Sequence, residues 1–305
     1  MTATRAPAPS ATRTPWGAGL SAHPLADGHP LADDGPLADG RPFTDGHLDL
    51  AAHPSTPADD PYAHALRAGK GPLCLRTDDG RLLPLEVARW CAAADSADLS
   101  ALRRCEGPVL DVGCGPGRLV AALAARGRRA LGIDVSAAAV AHTLRGGGAA
   151  LCRSVFDPLP GEGRWGTVLL LDGNLGIGGD PAALLARTAA LLAPHGLLIA
   201  ETHTRATPAA PTESPDPAKP TKSAEPTESV EPAGPVHPPD PADPADLDER
   251  LEVRLDDGTG TADRAPFPWA RVGSRALLRY ALPAGWSASA QWSVGERSFV
   301  ALRRP

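Results

Sequence analysis

The chain has 305 residues, a formal net charge of −6, and 34 Pro and 32 Gly among 42% hydrophobic residues. That length accommodates one or two domains, and no apolar run approaches the ~20 residues needed to span a bilayer, which argues against a membrane protein. The charge is uneven: residues 1–60 carry eight acids against three Arg, residues 207–249 ten acids against two Lys, and the remainder is net +7. Its Arg residues are scattered, so a nucleic-acid surface is not expected.

Residues 1–60 hold a degenerate repeat, His23-Pro-Leu-Ala-Asp-Gly28, His29-Pro-Leu-Ala-Asp-Asp34, Pro36-Leu-Ala-Asp-Gly40 and Pro42-Phe-Thr-Asp-Gly46. One small apolar residue per unit cannot build a stacked core, so a disordered low-complexity arm is expected. A folded domain over 61–305 follows. Pro61 to Ala68 reads as a helix with Asp60 as N-cap and Gly69 as its stop. Leu73-Cys-Leu-Arg76, an Asp79-Gly80 turn and Leu82-Leu-Pro-Leu85 suggest a hairpin. Leu85 to Ala92 reads as a helix carrying Arg89 and Trp90.

Val109-Leu-Asp-Val112 is then a buried strand, Gly113-Cys-Gly-Pro-Gly117 a tight turn, and Leu119 to Arg126 a helix. A helix N-terminus with bare N–H groups favours anionic or strongly polar ligand groups. The alternation continues with a strand Arg129–Asp134, a helix from the Ser136 cap to about Leu144, and a strand Ala149–Phe156. A fourth strand, Thr167–Asp172, leads into the Gly-rich loop Gly173–Asp180. Asp180 caps a helix that starts at Pro181 and runs to Leu192, and Gly196–Glu201 is a fifth strand. Strands at this spacing joined by helices predict an α/β, doubly wound, mostly parallel sheet.

From 207 to 246 the chain is acidic and Pro-rich, which predicts a disordered insertion. Arg250–Asp256 reads as a strand, Val272–Leu282 as a helix, and Trp286–Val294 with Arg297–Leu302 as a closing hairpin around Gly295. The five cysteines form no C-x-x-C pair and have no His at metal-ligand spacing, so no metal is expected. An odd, dispersed set suggests reduced thiols in a cytoplasmic protein, and the N-terminus shows no apolar signal-peptide core.

One alternative for the glycine turn is a nicotinamide dinucleotide site of an NAD-dependent oxidoreductase. Its fingerprint is G-x-G-x-x-G, whose third glycine allows close helix–strand packing. Here the spacing is G-x-G-x-G and Arg118 stands where that glycine would be. The pattern Asp111-x-Gly-x-Gly-x-Gly, Asp134 ending the next strand, Phe156-Asp157 after the third, and the closing hairpin together resemble the class I S-adenosylmethionine-dependent methyltransferases. The resemblance covers about residues 100–205 plus the hairpin, and implies a seven-stranded Rossmann-like sheet with a reversed final strand.

The resemblance further implies site roles. Gly113, Cys114, Gly115 and Gly117 would let the backbone lie against the methionine and ribose of S-adenosylmethionine. Asp111 would help hold its cationic amino group, Asp134 with Val135 the ribose hydroxyls, and Phe156 with Asp157 the adenine. Asp172 would lie near the sulfonium methyl, and Asp172 or Asn174 could orient or deprotonate an acceptor.

The acceptor is less legible, because in-line methyl transfer draws much of its rate from proximity and alignment. The place of the Asn/Asp-Pro-Pro-aromatic motif of base-amino methylases reads Asp172-Gly-Asn-Leu, and no Pro-Cys occurs for cytosine-C5 chemistry. Lys70 is the sole Lys outside 207–249, against the two that ribose-2′-O enzymes of the Lys-Asp-Lys-Glu type need, and the later Asp-Asn of metal-dependent catechol enzymes is absent. A small-molecule O or N acceptor is expected, with Tyr62, Arg89 and Trp90 as lid candidates. A non-catalytic cofactor-binding protein remains the third alternative.

Overall fold

The computed structural model describes residues 60–203, 229–231, 243–259 and 265–305. The N-terminal repeat and most of the Pro-rich, acidic insertion lie outside the described residues. Helix α1 (Pro61–Ala68) carries the expected Asp60 cap, whose carboxylate accepts from the Tyr62 N–H at 3.0 Å, and stops at Gly69 with φ +66°. Strands β1 (Cys74–Thr77) and β2 (Leu82–Pro84) form the hairpin, and α2 (Val87–Cys91) follows. Helix α3 (Ser96–Arg103), absent from the sequence reading, opens with a capping box between Asp95 and Asp98.

The glycine-turn unit is β3 (Val109–Val112), buried at every position, and α4 (Arg118–Ala124). Then come β4 (Ala130–Asp134), α5 (Ala137–Arg145) capped by Ser136, and β5 (Ala150–Cys152). The third predicted strand is cut to those three residues because Ser154 to Asp157 turns: the Ser154 N–H donates to Asp157 Oδ2 at 3.0 Å. Strand β6 (Trp165–Leu170), α6 (Pro181–Leu191) on its Asp180 cap, and β7 (Leu192–Thr202) complete the parallel half.

Strand β8 (Ser229–Glu231) falls within the expected insertion. The described residues resume at Asp243, within the expected insertion, in a 3-10 turn Pro244–Asp246. The buried Asp246 is held there by Arg275 at 3.1 Å and by Arg279. Strand β9 (Asp248–Asp256) matches its prediction, but Phe267 to Val272 forms a strand, β10, and the helix α7 spans only Ser274–Ala281. Pro268 hid β10, since proline within a strand is confined chiefly to sheet edges, where β10 lies. Strands β11 (Ser287–Val294) and β12 (Arg297–Arg303) form the closing hairpin.

The main sheet runs β5-β4-β3-β6-β7-β12-β11-β8. Neighbours β5 to β7 pair in parallel, β12 is antiparallel to both β7 and β11, and β8 adds an antiparallel edge to β11. Without that edge strand it is the expected seven-stranded sheet with one reversed strand. One face packs on α6 and α7 through Leu184, Leu185, Leu277 and Trp286; the other packs on α3 and α4 through Leu102, Leu119, Leu123 and Phe299. Trp292 stacks on Phe299 and donates its indole N–H to Ser100 at 2.8 Å, which anchors α3 to the hairpin.

A second sheet, β10-β9-β1-β2, joins the N-terminal hairpin to the segment after β8. Ile177 bridges to Trp269 of β10, so this cap sheet meets the Gly-rich loop that follows β6. In the main sheet the strand order reverses at β3, with β4 and β5 on one side and β6 and β7 on the other. The crevice at the carboxyl ends of β3 and β6 is therefore where an open α/β sheet binds ligands.

Candidate active site

The turn Gly113–Gly117 begins where β3 ends at this switch point. Gly113 has φ +70°, and a Cβ there would lie 2.6 Å from the Asn174 side chain. Gly117 has φ +90°, and a Cβ there would meet Thr143 at 2.5 Å. Both positions thus need glycine for conformation and for close approach. Asn174 donates from its amide to the carbonyls of Val112 and Gly113 at 2.8 and 3.0 Å, tying the loop after β6 to the turn after β3. Cys114 turns its thiol inward against Gly132, so what it offers the crevice is backbone.

Asp134, at the end of β4, accepts from the N–H groups of Gly115 at 2.9 Å and Ser136 at 2.8 Å. Burial raises its pKa, partly offset by those donors. Val135 follows β4 and Phe156 lies in the turn after β5, two apolar side chains with 51% and 42% of their surface exposed. Asp157 spends one carboxylate oxygen on its own turn. Asp111 is 1% exposed, and its Oδ2 has no hydrogen-bond partner among the described residues. Burial pushes its pKa up to about 7, Arg118 pulling it down while Asp172, Asp134 and Asp98 push it up.

Asp172 ends the fourth parallel strand in a left-handed conformation, φ 58°. Its carboxylate accepts from Arg118 at 2.6 and 3.0 Å, from Arg89 at 2.7 Å and from Arg297 at 3.5 Å. Arg118 reaches on to Asp98, whose side chain is fully buried, at 2.8 and 2.9 Å. Arg297 binds Asp98 at 2.8 Å and both Glu201 oxygens at 2.8 Å, and Glu201 in turn accepts the Asp172 N–H at 2.8 Å. Burial favours the neutral form of Asp98, but Arg118 and Arg297 outweigh it and hold its carboxyl below the usual range. The same carboxylates hold both guanidiniums firmly charged against their own desolvation. The network links α2, α3, α4, β12 and the ends of β6 and β7, clamping the floor of the crevice.

Helix α1 covers the turn. The Tyr62 hydroxyl lies 3.3 Å from where a Cβ on Gly115 would be, and the ring meets Trp90 of α2 edge-on at 6.3 Å. Burial and the nearby Asp134 charge raise the Tyr62 pKa well above its ordinary value, so the hydroxyl stays protonated.

The structure therefore gathers Asp111, the glycines, Asp134, Asp172 and Asn174 at one crevice, with Val135 and Phe156 on its apolar flank. It adds residues that sequence reasoning missed: Asp98, Glu201, Arg297, His203 and Trp269. Arg118 was legible only as the residue spoiling a dinucleotide fingerprint; its buried partners come from α3 and from the end of β6. The Asp95–Asp98 spacing before an apolar run was a usable capping signal. The ion-pair partners, up to 202 residues apart, left none.

This arrangement has the order, reversed strand and glycine turn of a Rossmann-like methyltransferase. A solved S-adenosylmethionine-dependent methyltransferase from Bacteroides fragilis, in complex with S-adenosyl-L-homocysteine, is similar with TM-score 0.56 at 20% identity, over 79% of this chain and 91% of that one. The Burkholderia thailandensis 1,6-didemethyltoxoflavin N1-methyltransferase is similar at 17% identity and TM-score 0.44, over 70% and 78% of the two chains. The sugar N-methyltransferase KedS8 from a Streptoalloteichus species is similar at 18% and 0.44, over 70% and 87%. No curated protein sequence matches the chain. Residues 88–231 match the family model described as a methyltransferase domain. That stretch of the chain is thus similar to a methyltransferase domain, and the fold around it is that of a Rossmann-like methyltransferase.

Proposed function

We propose that this chain transfers the methyl group of S-adenosylmethionine to an oxygen or nitrogen atom of a small molecule in the cytoplasm. The observation that carries the reading is Asp111 Oδ2: a fully buried carboxylate oxygen without a partner among the described residues, at the switch point of the sheet, beside a turn that accepts only glycine at two positions. Such a group is stabilised by a cation, and the donor's α-amino group is one. The exposed apolar side chains of Val135 and Phe156 suit a flat adenine, and Asp134, already aligned by two backbone donors, retains lone pairs for ribose hydroxyls. S-adenosylmethionine supplies an electrophilic methyl with a built-in leaving group.

The protein's own task is then alignment and exclusion of water. Asp172 is saturated by guanidiniums, which makes it an anchor that fixes the crevice floor rather than a base. Asn174 holds the acceptor-side loop against the glycine turn. Tyr62 and Trp90 cover the donor side. A dinucleotide reading is disfavoured because Arg118 is locked into buried ion pairs where that fingerprint needs close helix–strand packing.

Calorimetry with S-adenosylmethionine, S-adenosylhomocysteine and NADH tests the proposal. Binding of the first two without the third is expected; NADH binding alone would overturn it.

A further inference from the structure

Among the described residues, three buried side-chain polar atoms have no hydrogen-bond partner: Trp90 Nε1, Asp111 Oδ2 and His203 Nε2. Of these, Asp111 belongs to the proposed donor site and His203 does not. His203 follows β7 directly, and its N–H donates to the Val272 carbonyl at 2.9 Å, which fixes it between the main sheet and β10. A Cβ built on Gly173 would lie 3.7 Å from Nε2 and 4.0 Å from the Trp269 ring, so imidazole and indole both lie within van der Waals reach of that position. Gly173 directly follows Asp172, on the side of the crevice that the cap sheet closes.

Burial, with the Arg271 charge assisting and Glu249 opposing, lowers the His203 pKa to about 4, so the ring is neutral at neutral pH. Arg271 and Glu249 pair with each other at 2.9 Å, leaving little net charge beside the ring. Buried polar atoms are normally satisfied, and one left without a partner costs ~1–3 kcal/mol. A hydroxyl or a neutral amine satisfies Nε2 in either tautomer, since each can donate or accept. Among the described residues the two charges that act on the ring, Arg271 and Glu249, are taken up by each other, so neither is free to meet a charged ammonium or carboxylate.

We infer that His203 Nε2 is the hydrogen-bonding contact for the group to be methylated, and that this group is a hydroxyl or a neutral amine. The inference rests on the methyltransferase reading above, and its test separates the two. Protein labelled with 15N-histidine is titrated with phenol, aniline and toluene, with and without S-adenosylhomocysteine, and the His203 signal is assigned by its loss in His203→Gln. Phenol or aniline should shift the His203 15Nε2 resonance and toluene should not. His203→Leu should bind the responsive probe about tenfold more weakly, the loss of one hydrogen bond in a buried site, while S-adenosylhomocysteine affinity stays within about twofold and reports an intact fold. An unmoved His203 signal, an equal response to toluene, or unchanged probe binding by His203→Leu would overturn the inference. A His203 response in protein that fails to bind S-adenosylhomocysteine would instead overturn the methyltransferase reading and leave the contact standing.

Discussion

Replacing Asp111 with asparagine should make the ligand-free protein more stable at alkaline pH while crippling its binding of the methyl donor. Asp111 is completely enclosed, and its carboxyl sits at about 7 against an ordinary 3.8. The folded state therefore binds this proton more tightly than the unfolded chain does. The penalty for ionising it builds as pH rises from about 4 to 7 and is full above 7, at roughly 4 kcal/mol. The asparagine side chain of the variant would carry no charge, though its amide would forgo a hydrogen bond at a cost of ~1–3 kcal/mol that does not vary with pH. The clean readout is thus the pH-dependence. Denaturant unfolding of both proteins should show the stability difference moving in favour of Asp111→Asn by ~2–3 kcal/mol between pH 5 and pH 8. Loss of the charged contact should weaken S-adenosylhomocysteine binding about ten- to a hundredfold at pH 8. A stability difference that does not change with pH, or unchanged affinity, would refute the reasoning.

The other expectations concern the clamp and the turn. Asp98→Ala leaves Arg118 and Arg297 short of a fully buried partner and should cost ~3–5 kcal/mol in denaturant unfolding, whereas Glu106→Ala, which breaks an exposed pair with Arg303, should cost under ~1 kcal/mol. Similar losses in the two would mean that the buried network is not held as described. Gly113→Ala drives a methyl into the Asn174 side chain at a position with φ +70°. Calorimetry should show S-adenosylhomocysteine affinity falling at least about tenfold, and wild-type affinity would contradict the close approach. Asp134→Ala should abolish donor binding, while Asp172→Asn, which keeps one of the two acceptor oxygens and loses the charge, should leave it within a few-fold and lower turnover. Equal loss of binding in both would refute that division of labour.

Much of the fold is visible in the chain because its signals are local. Asp60, Ser136 and Asp180 cap their helices as their side chains allow, and the all-apolar character of Val168 to Leu171 can only suit a strand covered on both faces. The glycine spacing and the terminal Asp134 were legible for the same reason: backbone conformation at a turn is dictated by the residue that occupies it. The elements that eluded the sequence reading are those whose local preference is weak or contrary. Strand β10 contains a proline and is held by its neighbour β9, and the third parallel strand is shortened by a turn that Asp157 closes.

The site divides in the same way. The residues proposed to hold the donor, Asp111 to Gly117 and Asp134, lie within one local strand–turn–helix–strand unit and could be read from the sequence. The rest of the site could not, because ion pairing and burial are properties of space. Nothing within a few residues of Asp172 announces that Arg89, Arg118 and Arg297 converge on it, nor that His203 ends beside Gly173 under a cap sheet assembled from both ends of the domain. Sequence alone determined that a glycine turn joins a buried strand of a parallel sheet to the N-terminus of a helix. Only the tertiary structure decided which carboxylates are locked by arginine and which one, Asp111, keeps a buried oxygen, Oδ2, without a partner among the described residues, because desolvation and partner geometry are set by packing.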